Sequence, residues 1–105
     1  MKGADNVILE DNMEEDLIIE EETNINATIT GNVTVKSSAV MQLYGTITKD
    51  LIVDEGSKAY VFGCVNGSII NNGELEVYGE VSGEVIDHTG KAFVSRKAVV
   101  GGKAD

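Results

Sequence analysis

The sequence predicts one all-β domain, a single-stranded β-helix (solenoid) of about five coils, and three observations carry that expectation. An apolar tripeptide recurs along the chain. A second unit, an apolar residue followed by an aromatic and a glycine, recurs between its copies. The residues around both alternate apolar and polar with period 2 rather than with a helical period.

The tripeptide is Leu17-Ile18-Ile19, Val33-Thr34-Val35, Leu51-Ile52-Val53, Ile69-Ile70-Asn71 and Val85-Ile86-Asp87, with starts separated by 16, 18, 18 and 16 residues. A polar residue follows each copy: Glu20, Lys36, Asp54, Asn72 and His88. The second unit is Leu43-Tyr44-Gly45, Val61-Phe62-Gly63 and Val77-Tyr78-Gly79, and two residues after each glycine stands Ile47, Val65 or Val81. Gly31, Gly67 and Gly83 stand shortly before the tripeptide, with Asp50 in the corresponding place of the remaining coil. Strands of two to four residues are too short to stand alone. Stacked coil on coil, each pairs with its equivalent in the next coil, and the inward residues line up as apolar rows. Gly, Asn and Asp supply the turns between them.

Composition agrees with a narrow core built of similar layers. The chain is 42% hydrophobic but only 5% aromatic and has no Trp, so burial falls to Val, Ile, Leu and Ala. A length of 105 residues allows one domain, 1–105, in which 1–16 read as an acidic N-terminal cap and 17–101 as the coils. The cap carries edge-blocking charge. Residues 1–22 hold nine acids against Lys2, a net of −8, while Lys91, Arg96, Lys97 and Lys103 against Asp105 give residues 91–105 a net of +3.

The whole chain has a net charge of −10, from 18 acids and 8 bases. That disfavours nucleic acid and anionic membrane surfaces, both of which need clustered Lys and Arg, and leaves basic proteins, cations or solubility. No stretch has the length for membrane insertion, and the single Cys64 requires no oxidising compartment, so the expected location is cytoplasmic.

No constellation for catalysis is expected. His88 is the lone histidine and takes a turn position that other coils fill with Glu20, Lys36, Asp54 or Asn72, so a general-base role as in hexapeptide acyltransferases is not expected of it. Cys64 aligns with Thr46 and Glu80, which turns it outward with no basic partner to activate it. Asp54-Glu55 and Asp87-His88 read as turns one face apart. No calcium-loop motif accompanies them, and no metal or cofactor is expected. The Thr-x-Thr units at 28–30 and 46–48 do not continue into later coils, so no flat threonine array forms.

Two outward rows are the candidate sites instead. If the outer residues of each tripeptide point inward, Ile18, Thr34, Ile52, Ile70 and Ile86 form an apolar stripe on one face, as a covered surface has. Tyr44, Phe62 and Tyr78 form a second row, read as a stacking ladder that stiffens the coils or as an aromatic contact patch.

From Ile29 to Val65 an aliphatic residue, Met or Ala recurs every sixth position (Ile29, Val35, Met41, Ile47, Val53, Ala59, Val65), as in left-handed hexapeptide β-helices, but the 16-residue coils break the hexad. The segments Gly45-Thr46-Ile47-Thr48-Lys49-Asp50-Leu51-Ile52-Val53, Gly63-Cys64-Val65-Asn66-Gly67-Ser68-Ile69-Ile70 and Gly79-Glu80-Val81-Ser82-Gly83-Glu84-Val85-Ile86 resemble the Gly-x-Val-x-Gly-x-Ile pattern of bactofilins, over most of residues 27–101. Bactofilins are polymer-forming cytoskeletal β-solenoids of bacteria. The resemblance implies a right-handed solenoid, preferred here over the left-handed one, and assembly through the solenoid ends. The expected function is thus a non-catalytic structural module that self-associates through its ends or its outer apolar face. The alternative is an acidic immunity-type protein that binds and neutralises a basic bacterial toxin, since complementary charge speeds capture.

Overall fold

The computed structural model describes residues 7–101, so Lys2, Asp5, Lys103 and Asp105 lie outside the described residues. Sixteen short strands follow one another among the described residues, with no helix. The first six are β1 (Val7–Leu9), β2 (Leu17–Ile19), β3 (Thr23–Ile25), β4 (Thr28–Ile29), β5 (Val33–Val35) and β6 (Val40–Leu43). Next come β7 (Thr46–Ile47), β8 (Leu51–Val53), β9 (Lys58–Val61), β10 (Cys64–Val65) and β11 (Ile69–Asn71). The last five are β12 (Glu74–Val77), β13 (Glu80–Val81), β14 (Val85–Asp87), β15 (Ala92–Val94) and β16 (Val99–Val100).

They assemble into three parallel sheets. Sheet 1 runs β1-β3-β6-β9-β12-β15, sheet 2 runs β4-β7-β10-β13-β16, and sheet 3 runs β2-β5-β8-β11-β14. Met13 extends sheet 2 by one bridge to Ile29. Each strand pairs only with its equivalents one coil away, which is the β-solenoid expected from the repeat. The pairing reaches back to Val7, so β1 and Met13 already belong to the ladder.

The register gives the coil lengths. On sheet 1, Val7 pairs with Thr23, Thr23 with Met41, Met41 with Ala59, Ala59 with Leu75 and Leu75 with Ala92, which are steps of 16, 18, 18, 16 and 17 residues. The variation arises mainly at one corner. From sheet 1 to sheet 2, four positions separate the inward residues Ile25 and Ile29, Leu43 and Ile47, Val61 and Val65, and Val77 and Val81, and only the last coil departs, with six between Val94 and Val100. From sheet 3 back to sheet 1, the separation is four (Ile19 to Thr23), six (Val35 to Met41), six (Val53 to Ala59), four (Asn71 to Leu75) and five (Asp87 to Ala92). The two longest of these turns protrude, and each contains a residue in the left-handed region, Ser38 at φ 71° and Gly56 at φ 83°.

Where the spacing from sheet 1 to sheet 2 is four, that corner is fixed by close approach. A Cβ on Gly63 would lie 2.0 Å from the carbonyl oxygen of Gly45, and one on Gly79 equally near that of Gly63. Only glycine fits where one coil's carbonyl points at the next coil's Cα.

The corner from sheet 2 to sheet 3 is held by a side-chain ladder. The Asn32 N–H donates to Asp16 Oδ1 (2.9 Å), Asp50 N–H to Asn32 Oδ1 (3.0 Å), Ser68 N–H to Asp50 Oδ1 (2.9 Å) and Glu84 N–H to Ser68 Oγ (3.1 Å). Asp50 is therefore level with Asn32 and Ser68, not with the glycines as the sequence spacing suggested. Lys49, whose carbonyl accepts from Gly67 N–H, holds the glycine level of that coil.

Inside, the pleat of each strand puts alternate residues into the core: Val33 and Val35 are buried while Thr34 is half-buried. All seven members of the six-residue series from Ile29 to Val65 are fully buried. Each fully buried Ile or Val contributes about 1.5–3 kcal/mol of transfer free energy, and uniform aliphatic layers stand in for the large rings the chain lacks.

Candidate functional site

Strands of three residues with both outer members inward leave sheet 3 a single outward residue per coil. The register places Ile18 beside Thr34, Thr34 beside Ile52, Ile52 beside Ile70 and Ile70 beside Ile86. The five residues thus form one straight row along the solenoid. Ile18 is 59% exposed and Ile86 38%, with Thr34, Ile52 and Ile70 half-buried between them.

The aromatic row stands at the corner from sheet 1 to sheet 2. Tyr44, Phe62 and Tyr78 each follow a strand of sheet 1 and precede a glycine, and their N–H groups donate to Ile25, Leu43 and Val61 carbonyls one coil away. The stacking of backbones carries the rings into a stack: Tyr44 and Phe62 lie 5.1 Å apart at 10°, Phe62 and Tyr78 5.3 Å apart at 8°. Offset stacks at this spacing contribute about 0.5–1.5 kcal/mol per pair.

Two further rings complete the patch. Tyr60 lies 6.3 Å from Phe62, and Phe93 lies 5.9 Å from Tyr78, tilted by 52°. All five aromatic residues of the chain therefore share one surface. The recurrent aromatic-glycine unit could not reveal Tyr60 and Phe93, because both sit mid-strand on sheet 1. Register was the signal, since it aligns Tyr60 with Glu76 and Glu76 with Phe93.

Charge surrounds this patch. The Tyr78 hydroxyl donates to the Glu76 carboxylate, which holds the phenol pKa above its ordinary value. Lys58 Nζ lies 5.0 Å from the Tyr60 ring centroid and 3.6 Å from Glu74, and Tyr60 first, then the two glutamates, hold its pKa up.

Cys64 stands in the outward row Thr46-Cys64-Glu80, as its alignment predicted. Its Sγ donates to Glu80 Oε1 at 3.6 Å, and burial followed by that carboxylate pushes the thiol pKa up, the opposite of an activated nucleophile. His88 is an exposed turn residue whose N–H donates to the Asn71 carbonyl, as the N–H groups of Lys36, Asp54 and Asn72 do to their own lower coils.

Asp54-Glu55 and Asp87-His88 lie on the same corner, from sheet 3 to sheet 1, rather than one face apart. The short Asn72-Gly73 turn separates them, because the tripeptides end at one corner in every coil. Beneath the protruding turns this corner forms an open cleft of about 370 Å³, lined by residues that include Ser38, Glu55, Lys58, Asn72 and Lys91. No group of three or more His, Cys, Asp or Glu side chains gathers in a metal-binding arrangement among the described residues.

One polar feature enters the interior. Asn71 and Asp87 continue the inward row of Ile19, Val35 and Val53. The fully buried Asn71 donates through Nδ2 to Asp87 Oδ1 (2.9 Å) and accepts from Gly73 N–H (3.1 Å). Asp87 also accepts from the N–H groups of Thr89 and Gly90. The Thr89 N–H, helped by Asn71 and the Gly90 N–H, holds the Asp87 carboxyl below the usual carboxylate range.

The two ends are the last candidate surfaces. At the first, the inward-row residues Val7, Leu9, Met13 and Leu17 are only partly buried. At the far end the same holds for Val85, Ala92 and Val100, and Val94 is 42% exposed. Among the described residues no strand pairs beyond β1 and β2 at one end, or beyond β14, β15 and β16 at the other.

Comparison with family models, curated proteins and solved structures gives no match in any of the three. Among the described residues no helix is long and apolar enough to cross a membrane.

Proposed function

We propose that this chain is a non-catalytic structural protein that associates with itself end to end. The observation that carries the reading is the pair of end layers, whose strands have no further partner among the described residues. Both have three sides, both offer half-buried aliphatic side chains, and both carry parallel strand edges able to pair with a further coil. Their charges are opposite. Residues 7–22 hold eight acids and no base, while the final turns hold Lys91, Arg96 and Lys97. Opposite ends that fit each other make a heterologous contact, which continues as a string when it does not close. This is also the assembly that the resemblance to bactofilins implies. Light scattering over rising concentration, at low and high salt, tests it: mass grows at low salt and shrinks at high salt. A monomer under all conditions refutes it.

One observation favours a second reading. The concentration of acid in 7–22, within a net charge of −10, suits capture of a basic protein such as a cationic bacterial toxin. A toxin gene immediately upstream, or salt-sensitive binding lost on neutralising Glu14, Glu15 and Asp16, supports that reading over self-association.

A further inference from the structure

We propose that Asn72 is a latent modification site, an asparagine able to deamidate through Gly73, and that the buried amide of Asn71 holds the reaction off.

The chain has two Asn-Gly pairs, Asn66-Gly67 and Asn72-Gly73. Such a pair is prone to deamidation because glycine has no side chain to hinder the attack. The glycine nitrogen gives up its proton and bonds to the asparagine Cγ. The bond from Cγ to the side-chain nitrogen breaks, ammonia leaves with that proton, and a succinimide ring remains. Water opens the ring at either carbonyl, which gives aspartate or isoaspartate.

The fold cannot remove the hazard by replacing the glycine. A Cβ at position 73 would lie 2.4 Å from the Asp54 carbonyl oxygen and 2.5 Å from that of Ser57. Nor does the product fit. Isoaspartate lengthens the backbone inside a turn that spans only four positions, from Asn71 to Leu75.

Hydrogen bonding shows what protects the pair. The N–H groups of Asn72 and Glu74 donate to the preceding coil, at the carbonyls of Val53 (2.7 Å) and Ser57 (3.0 Å). The buried Gly73 N–H between them donates instead to Asn71 Oδ1 (3.1 Å). While that bond stands, the nitrogen keeps its proton and cannot attack. The acceptor is itself held in place. Asn71 is fully buried, and its Nδ2 donates to Asp87 Oδ1 (2.9 Å) and Thr89 Oγ1 (3.4 Å), which leaves Oδ1 to face Gly73. This gives a reason for a polar residue in an inward row that earlier coils fill with Ile19, Val35 and Val53. An aliphatic residue at 71 would continue the row and leave the buried Gly73 N–H without that partner. At the other pair, Gly67 N–H donates to the Lys49 carbonyl (3.0 Å), so Asn66 owes nothing to Asn71 and serves as a reference.

The test follows both asparagines by peptide mapping and mass spectrometry while the whole protein stands at mildly alkaline pH. In the wild type, Asn72 should convert more slowly when folded than when unfolded in urea. Asn71→Val should speed conversion at Asn72 by roughly fivefold, the worth of one lost hydrogen bond, and leave Asn66 unchanged. Hydrogen exchange on the wild type gives a readout that does not depend on the variant folding: the Gly73 amide should exchange as slowly as the strand amides around it. Equal Asn72 rates in Asn71→Val and wild type overturn the proposal. So do an equal rise at Asn66 and Asn72, which is general loosening, and a Gly73 amide that exchanges freely in the native protein.

Discussion

Coils between Thr23 and Val81 bury nearly every inward side chain completely, whereas in the last coil the same positions stand partly open. Ile47, Val61 and Val65 have no measurable exposure; Ala92 and Val100 are half-exposed, Val94 more so, and Asp87 replaces an aliphatic residue altogether. Strands pair in parallel with their equivalents in both regions, although the last coil is longer at its corner from sheet 1 to sheet 2, where six positions separate Val94 and Val100. Neighbours account for much of the difference, because among the described residues a middle layer has a coil on both sides and an end layer has one on one side. A solenoid's stability is a sum over such contacts, and its ends are where apolar area and strand edges are left over. The end surfaces are therefore where the proposed association would take place.

Substitutions can break or sharpen that contrast. The largest effect belongs to Gly63→Ala in the middle, where the added methyl collides with a backbone carbonyl of the coil below. A loss of about 4 kcal/mol or more is expected by denaturant unfolding. Gly56→Ala, on the protruding turn, should cost about 1 kcal/mol. An added Cβ there makes only ordinary contact, 3.5 Å from Ser37 Oγ, and Ser38, its counterpart one coil earlier, already holds φ 71°.

Next in size is a pair of cavity substitutions. Ile47→Ala should cost about 2–5 kcal/mol. Val94→Ala at the open end should cost well under half of that in the monomer, and a similar cost at both sites would show that the end layer is covered after all.

A smaller effect concerns the polar end of the inward row. Asp87 has a depressed pKa in the folded chain, so its contribution is present above the ordinary carboxylate range and is lost as pH falls through its folded value. The melting temperature of the wild type should exceed that of Asp87→Asn at neutral pH, and the gap should close on acidification. A gap independent of pH would remove the carboxylate from the account. The smallest effect is at Cys64, where Glu80→Gln should speed thiol alkylation at mildly alkaline pH, since the carboxylate helps to hold the thiol protonated.

Much of the fold was legible in the sequence, for a physical reason. In a parallel solenoid each residue stacks on its own equivalent, so register is the repeat spacing itself. The spacing of Leu17, Val33, Leu51, Ile69 and Val85 predicted the pairing of sheet 3, and the stripe and the Tyr44-Phe62-Tyr78 stack followed from it. The remainder depends on where within a coil the extra residues fall, which spacing alone does not say. That ambiguity set Asp50 at the glycine level and placed Asp54-Glu55 and Asp87-His88 on different faces. Tyr60 and Phe93 were missed because they join the patch across strands, and the Asn71–Asp87 contact because a polar residue in an inward row breaks the pattern being read.

The central claim is that the open end layers are association surfaces of opposite charge. Light scattering across a concentration series, at low and high salt, tests it most directly. The account predicts a mass that rises with concentration at low salt and falls toward the monomer at high salt, and that stays monomeric when Val94→Glu closes the far end with a charge. A mass fixed at the monomer value at every concentration and salt contradicts it.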